Sequence, residues 1–469
     1  MAKLLRCCLG ISLLATPATS LAAFHSALSS VKPNDAGGAL DEALTLLAFE
    51  RGAEAPVPDL AFLCVGMPFE SSLEALVDEA FERTRARVLV GVVGAGVIGG
   101  GREREMAECV SVAAGTLPAG TVVEPFVFES PGGGELPAED YRQTERLVRR
   151  EGTSCLLFGD PFSPVRDVAK LLDAWAPGAL VVGGISCPAS QRTASLALRE
   201  VGTSHRVGRG SALGLALRGP NLAVHSVTAQ GAVGVGEPMT VTSSSAGNVV
   251  GALDGETPVD RLRSLLEALS KTDPRSAKLL QEALLVGVRA TDEEDFLVRQ
   301  VLGATTAGEL LIGDPSIVAG ETRLQFMVRD GVAAREDLES VFRRYALERQ
   351  FSGGGARPLL SFLTSCAGRG EGLFEEPNVD TDALSELGAP VCGFFANGDG
   401  LFGIRKPDGK FCTQRLLFTD SGHYLLPVHH LNTSADEKLN QLMKDDFNKL
   451  KNDHGKTTRR HKHPEHTHH

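Results

Sequence analysis

The chain has 469 residues, of which 42% are apolar, and its formal charge at pH 7 is −12. At about 150 residues a domain, this length predicts two to three domains with real hydrophobic cores. The acidic balance argues against a nucleic-acid-binding surface, and a single Trp with three Tyr residues is too few for a base-stacking platform.

Residues 1–22 have the pattern of a targeting peptide. Lys3 and Arg6 flank the start of a short apolar run, and Ser20-Leu21-Ala22 is a small-x-small cleavage site. The run is shorter than the ~20 residues needed to cross a bilayer, so we expect no membrane span. The alternative interpretation is a buried N-terminal helix. Cleavage there exposes a new N-terminus that begins with Ala-Phe. This pattern is similar to the bipartite presequences of algae with secondary plastids, so the sequence predicts either plastid delivery or secretion.

Strand-like apolar runs alternate with amphipathic helices over the first half of the chain. Residues 38–51 and 71–87 carry apolar side chains at spacings of three and four, which is typical of such helices. The alternation indicates an α/β fold, of mixed α+β character, with mixed sheets flanked by helices. The other predicted helices are 138–150 and 165–178, and the predicted strands are 60–67, 87–101, 108–115, 121–129, 154–164 and 179–186.

Successive strands with short turns follow over residues 213–255, so a purely doubly wound fold is excluded. The remaining elements again mix both types, which predicts a second α/β domain after the first. Helices are predicted over 259–269 and 333–350, and strands over 284–290, 323–330 and 413–420.

The C-terminal tail is separate from this pattern. Ser434 and Glu437 form a capping box, and an apolar stripe follows, which predicts an amphipathic helix over 434–453. This helix either packs on its own protein or docks on a protein partner. The His- and Lys/Arg-rich end after it predicts disorder.

Seven of the nine cysteines lie outside the predicted targeting peptide, and none has C-x-x-C spacing. This scatter matches neither a disulfide framework nor a zinc site. We therefore predict no metal site and no cofactor.

Gly94, Gly96 and Gly99 match the G-x-G-x-x-G dinucleotide fingerprint after a strand. That fingerprint needs a helix to begin within it, because the pyrophosphate lies at the helix N-terminus. Here residues 100–107 form a charged loop that leads to a second strand, so a dinucleotide site is not expected.

Two apolar runs near the C-terminus end in small-residue turns that carry polar side chains. The first turn holds Cys366 and Arg369, and the second holds Asn397 and Asp399. Glycine permits close backbone approach, so two strands ending in these turns can converge on one site. Cys366 as a nucleophile would need a nearby base, and Arg369 cannot serve as one. A ligand-lining thiol is therefore preferred over a catalytic one.

Asp160 and Arg329 are further candidate ligand-binding residues. Asp160 follows a strand, where α/β sheets bind ligands, although an Asp-Pro turn is also a common structural cap. Arg329 and Asp330 end another strand, and a structural ion pair or helix cap is the alternative there.

These turns resemble the FIST family, whose C-terminal domain is marked by a Cys-x-Gly-Arg-Gly turn and a Gly-Phe-Phe-x-x-Gly-Glu-like turn. Residues 366–370 are CAGRG, and residues 393–399 are GFFANGD, with Asp399 where Glu is usual. The strand end over 91–99 and the Phe-x-Val-Arg-Asp pattern over 326–330 also resemble the family. At 232–234 the chain has Ala-Val-Gly, where relatives commonly have Cys-Arg-Pro.

The resemblance covers roughly residues 24–428 and implies a FIST N-terminal domain over 23–249, a FIST C-terminal domain over 250–428 and a tail over 429–469. It implies a non-enzymatic sensory module that binds a small ligand such as an amino acid. The alternatives are a scaffold or adaptor related to the F-box FIST proteins of ubiquitin ligases, and an enzyme that depends on Cys366. No F-box or attached signalling segment is recognisable in the sequence.

Overall fold

A computed structural model of the chain describes its backbone over most of its length. The described residues divide into two compact units, of which Val233–Arg329 is one. The residues described before Val233 and from Asp330 onward form the other, to which we refer as the discontinuous unit. The described residues are 9–15, 22–129, 138–163, 165–177, 179–190, 193–203, 209–229, 231–246, 248–289, 296–313, 317–351, 358–397, 402–405 and 411–414.

The elements before residue 230 alternate strands with helices, as the sequence predicts. The helices are α1 (Ala36–Arg51), α2 (Leu73–Thr84), α3 (Ala138–Val148) and α4 (Val165–Trp175). The first strands are β1 (Leu9–Ala15), β2 (Phe24–Leu28), β3 (Leu60–Gly66), β4 (Val88–Gly94), β5 (Gly96–Gly99), β6 (Arg102–Glu105) and β7 (Val110–Gly115). The next are β8 (Val122–Glu129), β9 (Ser154–Gly159), β10 (Val181–Ile185), β11 (Leu196–Glu200), β12 (Ser211–Arg218) and β13 (Leu222–Thr228).

The Val233–Arg329 unit is a closed six-stranded barrel with the order β14-β15-β18-β17-β16-β19 and two helices. Its buried cluster includes Val241, Val250, Val286 and Phe326, so apolar side chains form its core. The strands are β14 (Ala232–Ser245), β15 (Val249–Leu253), β16 (Leu285–Arg289), β17 (Leu297–Ala304), β18 (Leu310–Ile312) and β19 (Arg323–Arg329), and the helices are α5 (Pro258–Thr272) and α6 (Pro274–Glu282).

The last elements return to the discontinuous unit. They are helices α7 (Gly331–Phe351), α8 (Glu371–Phe374) and α9 (Val379–Ser385), and strands β20 (Pro358–Cys366), β21 (Val391–Ala396), β22 (Phe402–Arg405) and β23 (Phe411–Gln414). The mixed helix and strand content confirms the predicted fold class.

The described residues of the discontinuous unit form three sheets. The first sheet has the order β11-β4-β3-β7-β2, the second β13-β1-β20-β21-β5-β6 and the third β23-β22-β10-β9-β12-β8. Each holds one parallel pair, β3–β4, β20–β21 and β9–β10, among antiparallel pairs, so all three are mixed. Strands from before and after the barrel unit therefore share the second and third sheets.

Four phenylalanines join the three sheets. Phe62 of the first sheet, Phe158 of the third, and Phe362 and Phe394 of the second are all at most 1% exposed. The Phe62 and Phe362 ring centroids are 4.7 Å apart, and those of Phe158 and Phe362 are 5.7 Å apart. Such ring pairs add about 0.5–1.5 kcal/mol each beyond burial of their area. We call these four side chains the phenylalanine cluster.

The glycine-rich segment after β4 is shaped by close packing rather than by a cofactor. Gly96–Gly99 is a strand, paired with β21 and β6, so no helix begins within the fingerprint. A Cβ on Gly94 would lie 2.4 Å from the Gly96 carbonyl oxygen and 2.8 Å from Phe394 Cβ. The prediction of a charged loop after Gly99 was wrong for Arg102–Glu105, which forms the edge strand β6.

Among the helices that the structure describes, none combines the length and apolar character that crossing a bilayer requires. The boundary between residues 249 and 250 and the tail helix over 434–453 stay predictions, and the tail lies outside the described residues.

Replacing Gly94 by Ala is expected to destabilise the protein, because the added methyl group overlaps backbone and side-chain atoms. We expect a loss of about 1–3 kcal/mol in the free energy of unfolding, measured by urea denaturation. Gly37→Ala is the matched control, because a Cβ there meets no atom within 4 Å. The control should leave stability unchanged or slightly raised, and an equal loss in both variants would contradict the packing argument.

Candidate functional site

The two turns singled out in the sequence begin side by side at one edge of the second sheet. β20 and β21 are parallel neighbours, with Cys366 opposite Ala396. The Ala367 N–H donates to the Ala396 carbonyl at 2.9 Å. Asn397 follows β21 directly, so the structure brings Cys366 and Asn397 together at the carboxyl ends of adjacent strands.

The third sheet contributes the carboxyl end of β10 to the same edge. The Asn397 N–H donates to the carbonyl of Ile185, the last residue of β10, at 3.0 Å. The carboxyl ends of β10, β20 and β21 thus converge, which is where sheets of α/β proteins bind ligands. Both Cys366 and Asn397 are half-buried.

Asp160 belongs to a buried hydrogen-bond chain beside this edge. One carboxylate oxygen accepts from the Phe162 N–H at 2.9 Å, and the other accepts from the Ser195 hydroxyl. The Ser186 hydroxyl donates to Ser195 Oγ at 2.7 Å, and Ser186 directly follows β10. Burial raises the pKa of Asp160. Through these hydrogen bonds the carboxyl group of Asp160 fixes the positions of Ser195 and Ser186 at the end of β10.

Arg369 is buried, and its guanidinium is paired with Asp380 on α9. Nε donates to one carboxylate oxygen at 3.0 Å and Nη2 to the other at 2.7 Å, while the Ser365 hydroxyl also donates to Asp380 at 3.1 Å. The side chains of Arg369 and Asp380 are 2% and 1% exposed. The pair ties the turn after β20 to α9, and the Arg369 guanidinium also lies 4.9 Å from the centre of the Phe374 ring.

Glu103 on β6 is a second buried carboxyl next to this pair. Its Oε1 accepts from the Thr381 N–H at 2.8 Å and from the Thr381 hydroxyl at 3.0 Å, whereas its buried Oε2 has no hydrogen-bond partner. Burial, with the charge of Asp380 as the second cause, raises the pKa of Glu103 to about 7. An unpartnered oxygen favours the protonated carboxyl in the folded state.

The turn itself depends on glycine. Gly370 has φ +72, and a Cβ there would lie 2.2 Å from Glu105 Oε1, which accepts from the Glu371 N–H at 2.7 Å. The Cys366 sulfur accepts from the Gly368 N–H at 3.5 Å, and the Arg369 N–H donates to the Cys366 carbonyl at 2.8 Å. The Cys-x-Gly-Arg-Gly pattern is thus a tight turn with a buried arginine.

The other two candidates are placed differently. Arg329 is the last residue of β19 in the barrel unit, whereas Cys366, Arg369, Asn397 and Asp160 belong to the discontinuous unit. Asp399 lies outside the described residues. Within the described part of the chain, no group of three or more His, Cys, Asp or Glu side chains is placed to hold a metal ion.

Sequence reasoning missed Asp380, Glu103, Ser186 and Ser195. Arginines and glutamates alternate in Arg102–Glu105, so a strand there places both glutamates on one face, and this period of two was the available signal. The pairing of Arg369 with Asp380 and of Asp160 with Ser195 joins distant parts of the chain, and no local pattern marks it.

Arg369→Ala is expected to destabilise the protein strongly, because it leaves the buried Asp380 carboxylate without its cation. We expect a loss of about 3–5 kcal/mol in the free energy of unfolding, measured by urea denaturation. The control is Arg335→Ala, which removes an exposed pair with Glu376, whose side chains are 39% and 64% exposed. That change should cost under about 1 kcal/mol. Similar losses in both variants would refute the structural role of Arg369.

The stability of the protein should fall as the pH rises from the ordinary pKa of Glu103 towards its raised pKa of about 7. Its stabilising contribution is complete below the ordinary pKa of 4.5 and is lost as the pH rises towards about 7, since only the unfolded chain ionises freely in that window. The difference amounts to about 3 kcal/mol.

Glu103→Gln should remove this slope from a series of urea denaturations between about pH 4.5 and about pH 7. The exposed residue Glu82 supplies the control, Glu82→Gln, which should keep the wild-type slope. An unchanged slope in Glu103→Gln would show that Glu103 ionises normally in the folded protein.

Comparisons with known proteins agree with this arrangement of turns. The family model of the FIST N domain matches residues 59–256, and that of the FIST C domain matches residues 258–399. An uncharacterised protein of Mycobacterium tuberculosis is 33% identical over 326 residues, covering 66% of this chain and 78% of the relative. An uncharacterised protein of Mycobacterium bovis is 29% identical over 400 residues, covering 82% of this chain and 96% of the relative. The chain belongs to the FIST family, with a FIST N domain followed by a FIST C domain.

Proposed function

We propose that this FIST protein binds a small polar ligand, such as an amino acid, at the joined carboxyl ends of β10, β20 and β21. The observation that carries the proposal is the adjacency of Cys366 and Asn397 on neighbouring parallel strands, tied to Ile185 by the Asn397 N–H. The ends of parallel strands are where α/β sheets hold ligands.

The side chains at this edge suit a ligand with an amine or a hydroxyl. The Asn397 amide both donates and accepts hydrogen bonds, and the Cys366 thiol, at the end of the neighbouring strand, is a weak donor. The predicted neighbour Asp399 would add a carboxylate that accepts from an amine. Arg369 and Asp160 support the site from beneath, because their charged groups are engaged with Asp380 and with Ser195.

Because Arg369 and Asp160 support the fold, a binding test needs a variant of a partly exposed residue instead. Arg369→Ala would weaken the fold and the ligand site together, so its effect on binding would be uninformative. Asn397 is half-buried at the end of a strand, and its side chain can be shortened without breaking the backbone hydrogen bond to Ile185.

A thermal-shift screen of the amino acids and of small amines tests the proposal. At least one compound should raise the melting temperature of the wild type, since a ligand at about 100 times its Kd adds about 2.7 kcal/mol of stability. Asn397→Ala should lose that shift, and Cys366→Ser should reduce it.

The matched control is Asn221→Ala, an exposed position directly before β13. Through β1, Leu222 aligns with the start of β20, so Asn221 lies at the opposite end of the sheet from Cys366. This variant should keep the full ligand shift. No shift with any compound, or an equal shift in Asn397→Ala and Asn221→Ala, would count against the site.

A further inference from the structure

The N-terminal apolar segment occupies an interior position in the second sheet. β1 lies between β13 and β20 and is antiparallel to both. Leu9 is opposite Thr228 on one side and Thr364 on the other, and the pairing with β13 continues to Ala15. The backbone of these seven residues therefore bridges two strands that do not pair with each other.

Both walls of this position are held by contacts that do not involve β1. On the β13 side, the His225 ring lies 5.9 Å from the ring of Tyr345 on α7, and Val227 is buried in the same cluster as Tyr345. On the other side, β20 pairs with β21 from Ser361 to Cys366. At 4.7–4.9 Å per strand, the two walls stand about 9.5 Å apart, which is the width of one strand.

The β20 side of this position favours an apolar strand, whereas β13 is mostly partly exposed. β20 is buried along almost its whole length on both faces, as Leu360, Ser361 and Phe362 illustrate. Strands buried on both faces are continuous apolar runs rather than alternating ones. Residues 9–15, LGISLLA, are close to such a run, with Ser12 as the one polar side chain.

We propose that the space between β13 and β20 is a strand-acceptor site and that Leu9–Ala15 is its occupant in the intact chain. An empty site would leave the facing backbone N–H and C=O groups of two strands unpaired inside the unit, which is costly. These residues lie within the apolar core of the predicted targeting peptide, which runs from Cys7 to Ala15. Removal of residues 1–22 would therefore vacate a site that recognises an extended apolar peptide by backbone hydrogen bonds on both of its edges.

Hydrogen exchange read by mass spectrometry on the full chain tests this assignment. The amides of residues 9–15 should exchange about 100-fold more slowly than in a free peptide of the same sequence, because they belong to an interior strand. Ile11→Pro should abolish this protection, since proline cannot donate to the ladder of an interior strand. It should also release the amides of 222–228, for which β1 is the pairing partner.

Ile11→Val is the matched control, because a β-branched residue is kept and the ladder stays intact. Residues 60–66 of the first sheet should stay protected in both variants. Exchange of residues 9–15 at the free-peptide rate in the wild type would overturn the proposal. This wild-type measurement tests the proposal even if Ile11→Pro fails to fold. Protection of 222–228 alongside unprotected 9–15 would mean that a different segment or a second copy occupies the site, which also overturns it.

Discussion

The meeting of three sheets at the phenylalanine cluster is the constraint on which the rest of the discontinuous unit depends. Phe62, Phe158, Phe362 and Phe394 come from strands that are separated widely along the chain, yet their rings are in contact. Because each ring lies on a central strand of its sheet, the cluster fixes how the strands end relative to each other. The convergence of β10, β20 and β21 on one edge follows from it.

The same packing brings the strands close together. This close approach explains why glycines occupy the positions where the strands meet. A Cβ on Gly94 would lie 2.8 Å from Phe394 Cβ, and a Cβ on Gly184 would lie 2.3 Å from Thr364 Cγ2. A larger residue at either position would force the second sheet away from its neighbours. Sheet packing thus explains the glycine pattern that resembles a dinucleotide fingerprint, and the pattern is not evidence for a phosphate ligand.

The Cys-x-Gly-Arg-Gly turn has a buried, charged part that supports its shape and a part that is partly exposed. Arg369 and Asp380 form a buried ion pair beneath the turn, and the buried carboxyl group of Glu103 lies beside it. A buried ion pair is costly to break but does not necessarily add stability over apolar packing, which is consistent with a role in holding one geometry. Cys366 and Asn397 keep part of their surface exposed, and they are the groups that we propose to contact a ligand.

The sequence by itself determined the mixed α/β class, most helices and strands, and the family, because hydrophobic period and turn residues are local properties. It also indicated that the turns at Cys366 and Asn397 lie together, since both follow apolar runs. Tertiary structure alone decided that Arg369 pairs with Asp380, that Asp160 orders Ser195, and that Leu9–Ala15 lies between β13 and β20. An interior strand and the apolar core of a targeting peptide are both short apolar runs, so the strand pairing of Leu9–Ala15 could not be predicted from its composition.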